Sequence, residues 1–397
     1  LISEDEYENA KQNSPYLCEF ERLRKERYSL LLKASKRTKE KENIQSFIKE
    51  NPHIDDFCEF MALKEANNSL PWYEWKITKY DDEILFMWKF IQYEFFAQWA
   101  EIKAYANKNG ISLIGDIPIY VSMDSADIYK NPEMFLLDER KKPVSVAGVP
   151  PDYFCEDGQL WGNPLYNWDN MKKDGFKWWK ERISHMLKLF DGVRIDHFRA
   201  IESYWSVPFG EKTARGGKWV KGPGMDFVNA VKEVAKDKLI IAEDLGDITP
   251  EVIKLVNESG FPGMRVFQFG FFGGDSTHRP HNYTNNCIAY SGTHDNNTLL
   301  GYLWELTDEK RKEMLEYCGY ISEDWNSGFE AMLRTIWRST AGIAIFPIQD
   351  LLGYGSDTRL NTPGVADGNW CFRITKEQLK SINTDKFRRY NEIYARI

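Results

Sequence analysis

The sequence GVRIDHFR, residues 192–199, predicts a short buried strand that ends at a carboxylate. Val193 and Ile195 are strand-forming residues whose side chains point to one face, while Arg194 and Asp196 alternate to the other. A charged pair at the end of an apolar run is unfavourable in a protein interior unless the two charges satisfy each other or a ligand. The motif alone is therefore equally compatible with a structural ion pair and with a functional site.

Two further segments repeat the pattern of an apolar run followed by an acid. Residues 239–246 read LIIAEDLG and place Glu243 after the run, and residues 288–297 read IAYSGTHDNN and contain Asp295. In a (β/α)8 barrel, catalytic groups gather from the ends of several strands at one face of the barrel. The repetition favours a functional site over an isolated structural ion pair.

The overall composition argues against several classes of protein. The chain has 397 residues, of which 42% are hydrophobic, and this is enough for a large core. The net charge of −8, with both signs interspersed, argues against a nucleic-acid partner, and no run of eighteen apolar residues is present to span a membrane. The six cysteines have neither zinc nor disulfide spacing, which predicts reduced thiols and a cytoplasmic location.

Residues 1–110 predict helices and no strand. The predicted helices include residues 19–35, 44–66 (broken at Pro52) and 83–109. From residue 111 onward, strands alternate with helices over short connections, which indicates parallel pairing with right-handed crossovers. The predicted strands lie around Ile111, Val193, Leu239, Met264, Ile288 and Ile343. A closed barrel needs eight strands, so we expect that this chain, which begins with Leu1 rather than Met, lacks two of them.

A long connection over residues 122–173 follows the strand at Ile111. Connections of this length without clear local structure are usually lids or binding loops, or are disordered. The aromatic residues within this one argue against disorder, which leaves a lid or a binding loop as the expectation. A second segment rich in Gly and Pro, residues 211–224, is also predicted to be a loop.

The three carboxylates Asp196, Glu243 and Asp295 are of the residue type that cleaves a glycosidic bond with retention. One carboxylate attacks the anomeric carbon while a second, protonated one delivers its proton to the leaving oxygen. Arg194 should hold Asp196 ionised, whereas nearby like charge should raise the pKa of Glu243 and keep it protonated. His294 offers a donor for sugar hydroxyls. A magnesium site is the rival use of clustered acids, but Arg194 would compete for the same oxygens and no phosphate-binding glycine loop is present.

Several motifs together resemble the 4-α-glucanotransferases of glycoside hydrolase family 77, a branch of the α-amylase clan. The motifs are GDIPIYV at 115–121, PPDYF at 150–154, WGNPLY at 161–166, GVRIDHFR at 192–199, AEDLG at 242–246 and GTHDNNT at 292–298. The resemblance implies an α/β fold, a (β/α)8 TIM barrel with helical insertions, of which this chain supplies strands three to eight and lacks the first two. Residues 1–110 would be a helical subdomain before the third strand, and residues 111–397 the catalytic barrel portion.

The resemblance also implies roles for individual residues. Asp196 is expected to be the nucleophile, Glu243 the acid/base and Asp295 the third carboxylate, which holds hydroxyls of the distorted sugar. Substrate contacts are expected from Arg194, His294, Asp116, Tyr120, Asp152, Tyr153, Phe154, Trp161 and Asn163. Asp116 is expected to support the site rather than to react. Strand alternation separately assigns His197 to the opposite face, into packing.

The predicted function is transfer of α-1,4-linked glucan segments between maltooligosaccharides through a glucosyl–Asp196 intermediate. Two alternatives stay open, namely an amylase-like α-1,4-glucan hydrolase and a protein that binds glucan without catalysis. We expect no metal and no organic cofactor, because carboxylates cover both nucleophilic attack and proton transfer. The expected partners are maltooligosaccharides and α-glucans, with no nucleic acid and no membrane.

Overall fold

The structure, a computed structural model, describes residues 1–151, 155–272, 274, 276–322 and 324–396, with only the backbone described at 325 and 326. It divides into two compact units. The first comprises Leu1–Lys11 and Arg24–Phe261, and the second comprises Gln12–Leu23 and Pro262–Ile397. Among the described residues, no helix combines the length and the apolar character needed to cross a membrane.

The first part of the chain is helical, as its amphipathic pattern predicts. The helices are α1 Glu4–Asn9, α2 Phe20–Arg37, α3 Lys41–Glu50, α4 Pro52–Ala66 and α5 Asp82–Lys108. Pro52 stands at the start of α4 and separates it from α3, because proline has no N–H to donate inside a helix. Helix α5 anchors the chain just before residue 192. Trp99 Nε1 donates to the carbonyl oxygen of Leu189, and Asn107 Nδ2 donates to Asp191 Oδ2, each at 2.8 Å.

A group of three parallel strands positions the predicted site residues of the first unit. The strands of this unit are β1 Ile114–Ile117, β2 Ser145–Val149, β3 Gln159–Pro164, β4 Gly192–Ile195, β5 Ser203–Pro208, β6 Lys218–Lys221 and β7 Leu239–Ala242. Strands β1, β4 and β7 pair in that order, and the register aligns Ile117 with Ile195 and Ile195 with Ala242. Asp196 and Glu243, the next residues along, therefore leave the same edge of the sheet.

Helices on the outside of these strands complete the core of the first unit. They are α6 Ala126–Lys130, α7 Trp168–Lys173, α8 Lys177–Leu189, α9 Met225–Ala235 and α10 Pro250–Ser259. Trp179 of α8 and Phe227 of α9 are fully buried and their rings meet edge to face, with centroids 5.1 Å apart. Helix α10 has Thr249 at its N-cap position and ends at Gly260, whose left-handed φ of 69° suits a residue without Cβ.

A four-stranded antiparallel sheet corrects the prediction of two loops. Strands β3, β2, β5 and β6 are neighbours in that order, so the predicted loop at 122–173 contains two strands and the one at 211–224 contains a third. The register pairs Gly148 with Leu160 on one side and with Trp205 on the other. The apolar alternation in each strand is only a few residues long, and β5, one of the two strands that pair with β2, lies far along the chain. Local patterns therefore did not reveal this sheet.

The second unit contains another group of three parallel strands. Its strands are β8 Gly263–Val266, β9 Cys287–Tyr290 and β10 Ile343–Ile345, and its helices are α11 Leu299–Glu305, α12 Asp308–Tyr317, α13 Trp325–Trp337, α14 Ile348–Leu352, α15 Lys376–Lys380 and α16 Thr384–Ile393. The register aligns Met264 with Ile288 and Ile288 with Ile343. All six predicted strands are thus present, and those within each unit run parallel in sequence order.

Two of the parallel strands have an open edge within the described ranges. There, β1 pairs with β4 alone and β10 pairs with β9 alone. Ile111 and Ile114 are 56% and 38% exposed, although their sequence context is that of a buried strand. The fold is therefore α/β with parallel strands, and apolar surface is exposed beside β1.

Candidate active site

Arg194 organises the acids at the ends of β1 and β4. Its Nη1 donates to both carboxylate oxygens of Asp116, at 2.7 and 2.8 Å, and its Nη2 lies 2.8 Å from Asp196 Oδ1. The Arg194 side chain is only 10% exposed, whereas the Asp196 side chain is 42% exposed. The N–H of Asp196 donates to the carbonyl oxygen of Ile117, which extends the strand pairing to the acid itself. The predicted contact between Arg194 and Asp196 is present, and the guanidinium stabilises the ionised carboxylate.

Glu243 follows β7 directly and is buried. Its Oε2 accepts a hydrogen bond from the N–H of His197 at 2.6 Å, and its Oε1 accepts one from the N–H of Leu245 at 2.8 Å. Burial raises the pKa of Glu243 to about 7, with a further contribution from the charge of Asp196, against the opposing effects of Arg194 and the two N–H donors. The sequence predicted a raised pKa from like charge, and the structure adds burial as the larger cause.

The backbone of His197 connects the nucleophile candidate to the buried acid. His197 has φ 48° and ψ 48°, a left-handed conformation that is uncommon for a residue with a side chain. The next N–H, of Phe198, donates to the carbonyl oxygen of Glu243 at 3.0 Å. Sequence alternation assigned His197 to packing, but its strand ends at Ile195 and the left-handed turn redirects the N–H of residue 197. Strand alternation alone does not contain that signal.

Three of the predicted substrate contacts, Tyr120, Trp161 and Asn163, lie on or next to the segment 122–173, and the rings of Tyr120 and Trp161 lie near each other. The ring of Trp161, which is 37% exposed, meets the ring of His197 edge to face at 4.8 Å, and lies 6.3 Å from that of Tyr120. Tyr120 is itself buried. Asn163 Nδ2 donates to the carbonyl oxygen of Val121 at 3.0 Å, so this amide ties the segment to the chain that follows β1. The predicted contacts Asp152, Tyr153 and Phe154 lie outside the described residues.

Asp295, in the second unit, is held by residues that the sequence did not indicate. Asn361 Nδ2 donates to Asp295 Oδ1 at 2.6 Å, and Arg359 Nη2 donates to the Asp295 carbonyl oxygen at 2.7 Å. His294 Nε2 lies 3.4 Å from Asp295 Oδ2, and the His294 ring packs against Trp370 with centroids 5.2 Å apart. The available signal was the position of residues 359–370 after the last predicted strand, where barrel loops carry functional groups.

A buried acid, Asp350, holds both ends of the loop that carries Asp295. Its Oδ2 accepts from Ser291 Oγ at 2.5 Å, and its Oδ1 accepts from the N–H of Leu299 at 2.8 Å. Burial raises the pKa of Asp350 to about 6. The sequence analysis did not single this residue out, because its partners are far along the chain and Asp350 lies five residues beyond the end of β10 at Ile345.

The pair formed by Asp196 and Glu243 has the properties of a glycoside-cleaving site. One carboxylate is partly exposed and paired with a guanidinium, and the other is buried with a pKa raised to about 7. Nucleophilic attack requires the first of these states, and proton delivery to a leaving oxygen requires the second. These properties suit an enzyme that acts on glycosidic bonds.

Comparison with known families gives the same result. The model of glycoside hydrolase family 77, described as 4-alpha-glucanotransferase, matches residues 2–379. The chain belongs to this family. The predicted family and enzyme class, a 4-α-glucanotransferase acting by transglycosylation of α-1,4-glucans, are thereby confirmed.

Individual relatives match over most of the chain. A 4-alpha-glucanotransferase of Clostridium butyricum is 42% identical over all of this chain and 85% of its own length. That of Synechocystis is 44% identical over 86% of this chain and 71% of its own length. A relative from Solanum tuberosum, named as chloroplastic/amyloplastic, is 41% identical over 87% of this chain and 63% of its own length.

Solved structures of similar proteins include two amylomaltases. The amylomaltase of Streptococcus agalactiae, solved in complex with acarbose, superposes with a TM-score of 0.94 at 38% identity, over all of this chain and 84% of that one. The amylomaltase of Corynebacterium glutamicum superposes with a TM-score of 0.76 at 20% identity, over 96% of this chain and 60% of that one, which supports the fold alone.

Proposed function

We propose that this chain transfers α-1,4-glucan segments by a double displacement in which Asp196 is the nucleophile and Glu243 the acid/base. The observation that carries the proposal is the contrast between the two groups. Asp196 is paired with Arg194 and partly exposed, whereas Glu243 is buried with a pKa of about 7. At neutral pH a substantial fraction of Glu243 is protonated, so that it serves as an acid and later as a base.

In the first step, an oxygen of Asp196 attacks the anomeric carbon of the donor glucan. The bond between that carbon and the leaving 4-oxygen breaks, and Glu243 transfers its proton to the leaving oxygen. In the second step, the Glu243 carboxylate takes the proton of an acceptor 4-hydroxyl, whose oxygen attacks the anomeric carbon and releases Asp196. The net reaction retains the α configuration and regenerates both carboxyl groups.

The other predicted residues act on substrate rather than in bond breaking. Asp295 and His294 would bind hydroxyls of the distorted sugar, and the contacts of Asp295 with Asn361 leave its second oxygen beside His294. Trp161 presents a partly exposed ring, which suits stacking on a sugar face. Aromatic cover over the glycosyl–Asp196 intermediate would exclude water and so favour transfer over hydrolysis.

Incubation with maltotriose tests the proposal. Transfer yields glucose together with a ladder of longer oligosaccharides, whereas an amylase-like hydrolase yields small sugars without the ladder. Calorimetry with maltoheptaose covers the other alternative, because binding without any turnover would identify a glucan-binding protein.

The maltotriose assay, repeated after dialysis of the protein against a strong chelator, tests the prediction that no metal takes part. An unchanged rate is expected, and a loss that calcium or zinc restores would contradict it.

We infer that the six parallel strands correspond to strands three to eight of a (β/α)8 barrel. Residues 1–110 would form the helical subdomain before the third strand, residues 111–397 the catalytic portion, and 122–173 the segment that covers substrate. The exposure of Ile111, just before β1, and of Ile114, its first residue, supports an additional strand at that edge. Adding a segment that supplies two strands should raise the thermal stability of the chain. An unchanged melting temperature would count against this assignment.

We also propose that the protein acts in the cytoplasm on maltooligosaccharides and α-glucans. All six cysteines lie in described parts of the chain, and none of them forms a disulfide there, which suits a reducing compartment. Fractionation of the producing cells would test the location.

A further inference from the structure

We propose that His197 is a positioning residue for the acid/base, through a left-handed backbone that directs its N–H at Glu243 and a ring that packs on Trp161. The inference rests on the proposed function, because it assigns His197 a part in the proton transfer by Glu243. It goes beyond that function because it makes the backbone conformation of His197 one of the factors that set the pH range in which Glu243 is protonated.

The first argument is the fixed position of residue 197 between two anchored neighbours. The N–H of Asp196 is bonded to the carbonyl oxygen of Ile117, and the N–H of Phe198 to that of Glu243. Between these two bonds, His197 has a left-handed conformation (φ 48°, ψ 48°) and directly precedes the 3-10 helix Phe198–Ile201. A residue with Cβ adopts this conformation when the surrounding structure imposes it, and such residues concentrate at functional sites.

The second argument is the target of the N–H that this conformation directs. It donates to Glu243 Oε2 at 2.6 Å, which is shorter than the 2.8 Å bond from Leu245 to Oε1. A donor to a carboxylate stabilises the charged form and so lowers the pKa of the acid. Burial and Asp196 raise the pKa of Glu243 while Arg194 lowers it, so the N–H of His197 opposes the upward effects. It thereby helps to keep the pKa in the range where Glu243 both gives and takes a proton.

The charged groups that face Glu243 are Asp196 and Arg194, and the His197 ring adds no charge to them. Burial and the neighbouring Arg199 guanidinium lower the pKa of His197 to about 3, so the imidazole is neutral in the range where Glu243 titrates. The effect of His197 on Glu243 therefore operates through the backbone N–H and not through imidazole charge.

The third argument is the contact that the ring makes. The imidazole meets the indole of Trp161 edge to face, with centroids 4.8 Å apart and an angle of 80° between the planes. Trp161 is a partly exposed aromatic residue of the segment proposed to cover substrate. Backbone and ring of His197 thus serve two different groups, and substitutions that affect them separately will have separable consequences.

The test compares His197→Gly with His197→Val. Glycine adopts the left-handed conformation without strain and removes the ring, whereas valine strongly disfavours that conformation and also removes the imidazole. The measurement is the pH dependence of kcat/KM on maltotriose, whose basic limb reports the acid in the free enzyme. For His197→Gly we expect the basic limb at the wild-type position and a raised KM. For His197→Val we expect the limb to move upward by about one pH unit, because the donor to Glu243 is lost.

Release of fluoride from α-glucosyl fluoride provides a second readout, because this leaving group needs little help from an acid. The Val substitution should therefore reduce kcat/KM on maltotriose by about tenfold more than on the fluoride, while Gly should affect the two substrates alike. Lys236, which also has a positive φ, of 54°, but lies at the end of α9, provides a matched control. Lys236→Val should lower the melting temperature and leave the pH profile unchanged.

The proposal is wrong if Gly and Val move the basic limb equally, or if neither moves it in folded protein. If His197→Val does not fold, His197→Ala takes its place, and its limb should lie above that of His197→Gly. Equal limbs for Ala and Gly would contradict the proposal. Failure of the wild type to form the maltotriose ladder would instead overturn the proposed function, so the two outcomes are distinguishable.

Discussion

The acids of the two units are positioned by different parts of the protein. In the first unit, Asp196 and Glu243 directly follow paired strands, and backbone N–H groups of residues 197 and 245 hold the Glu243 carboxylate. In the second unit, side chains from a distant segment hold Asp295, with Asn361 on its carboxylate and Arg359 on its carbonyl oxygen. Truncating one side chain removes a side-chain donor outright, whereas a backbone N–H stays in the chain and is redirected only by a substitution that changes the backbone conformation, as proposed for His197→Val. The comparison therefore predicts different responses to substitution.

The surroundings of Glu243 and of Asp295 also differ in burial and in the groups that border each carboxyl. Glu243 is buried and its pKa is about 7, as an acid/base at neutral pH requires. Asp295 is 43% exposed and is bordered by an amide and an imidazole, which are hydrogen-bonding groups suited to sugar hydroxyls. The first environment supports proton transfer and the second supports binding, so substitutions in the first unit should have the larger effects on chemistry.

The largest effect is expected for Asp196→Asn. The amide cannot attack the anomeric carbon, and it supplies no negative charge to pair with the Arg194 guanidinium. Transfer from maltotriose should therefore fall by about 10⁴-fold or more. Mass spectrometry should find no covalent adduct with a glucosyl fluoride. Asp237→Asn, an exposed acid in the turn before β7, is the control and should retain activity. An adduct on Asp196→Asn but not on Glu243→Gln would show that the two roles are reversed.

Glu243→Gln should have the next largest effect. Loss of the general acid should lower the maltotriose rate by about 10²- to 10⁴-fold, while attack on a glucosyl fluoride continues and the adduct accumulates. The pKa of Glu243 is raised to about 7, so the wild type holds the required proton below that pH and loses activity as the pH rises through it. The variant should lack this basic limb. A limb near pH 7 that persists in the variant would assign the proton to another group.

Arg194→Lys should reduce activity less than the two acid substitutions do. One ammonium group retains the charge but cannot reproduce a planar fork that contacts Asp116 and Asp196 from separate nitrogens. We expect kcat/KM on maltotriose to fall by about 10- to 100-fold. Asp116→Asn should have a smaller effect, because Asp116 contacts the guanidinium and supports it without reacting. Arg140→Lys, on the exposed surface, is the matched control, and activity within twofold of the wild type for Arg194→Lys would contradict the prediction.

Asn361→Ala tests the side-chain positioning of Asp295. The variant loses a hydrogen bond to a carboxylate, a contact of about 1.5–3 kcal/mol, so we expect kcat/KM to fall by roughly 10- to 100-fold, mainly through KM. Asn369→Ala removes an amide that bonds the N–H of Thr362 in the same segment, without touching Asp295. Equal losses for the two variants would mean that Asn361 acts only by ordering the segment.

Asp350→Asn should have the smallest effect on activity, less than about twofold, because the amide fits the same site between Ser291 and Leu299. Its effect on stability should depend on pH. The folded pKa of Asp350 is raised from 3.8 to about 6, so the folded protein retains a proton that the unfolded chain has lost between these values. Wild-type stability therefore decreases through this window, and the variant should gain up to about 3 kcal/mol relative to it between pH 4 and 7. Melting temperatures that keep a constant difference across this range would argue against a buried, protonated Asp350.

Local sequence patterns predicted the long helices within residues 1–110 and the six parallel strands, and they picked out the candidate acids. Helix α5, Asp82–Lys108, agrees with the predicted range 83–109 to within one residue at each end, and α2, Phe20–Arg37, agrees with the predicted range 19–35 to within two residues. The acids after residues 195 and 242 stand out because an apolar run stops at a charge. Caps, periodicity and strand ends are encoded within a few residues, which is why one sequence is sufficient to find them.

The tertiary structure alone decided the antiparallel sheet, the contacts of Asp295 and the conformation of His197. Trp205 pairs with Gly148, and Asn361 bonds Asp295, over sequence separations that no local pattern spans. The larger cause of the raised Glu243 pKa is burial, which depends on how separate elements pack and not on the residues next to Glu243. The sequence thus indicated the groups that are proposed to carry the chemistry, while packing between distant segments decided their protonation and orientation, because both depend on neighbours that only the folded chain supplies.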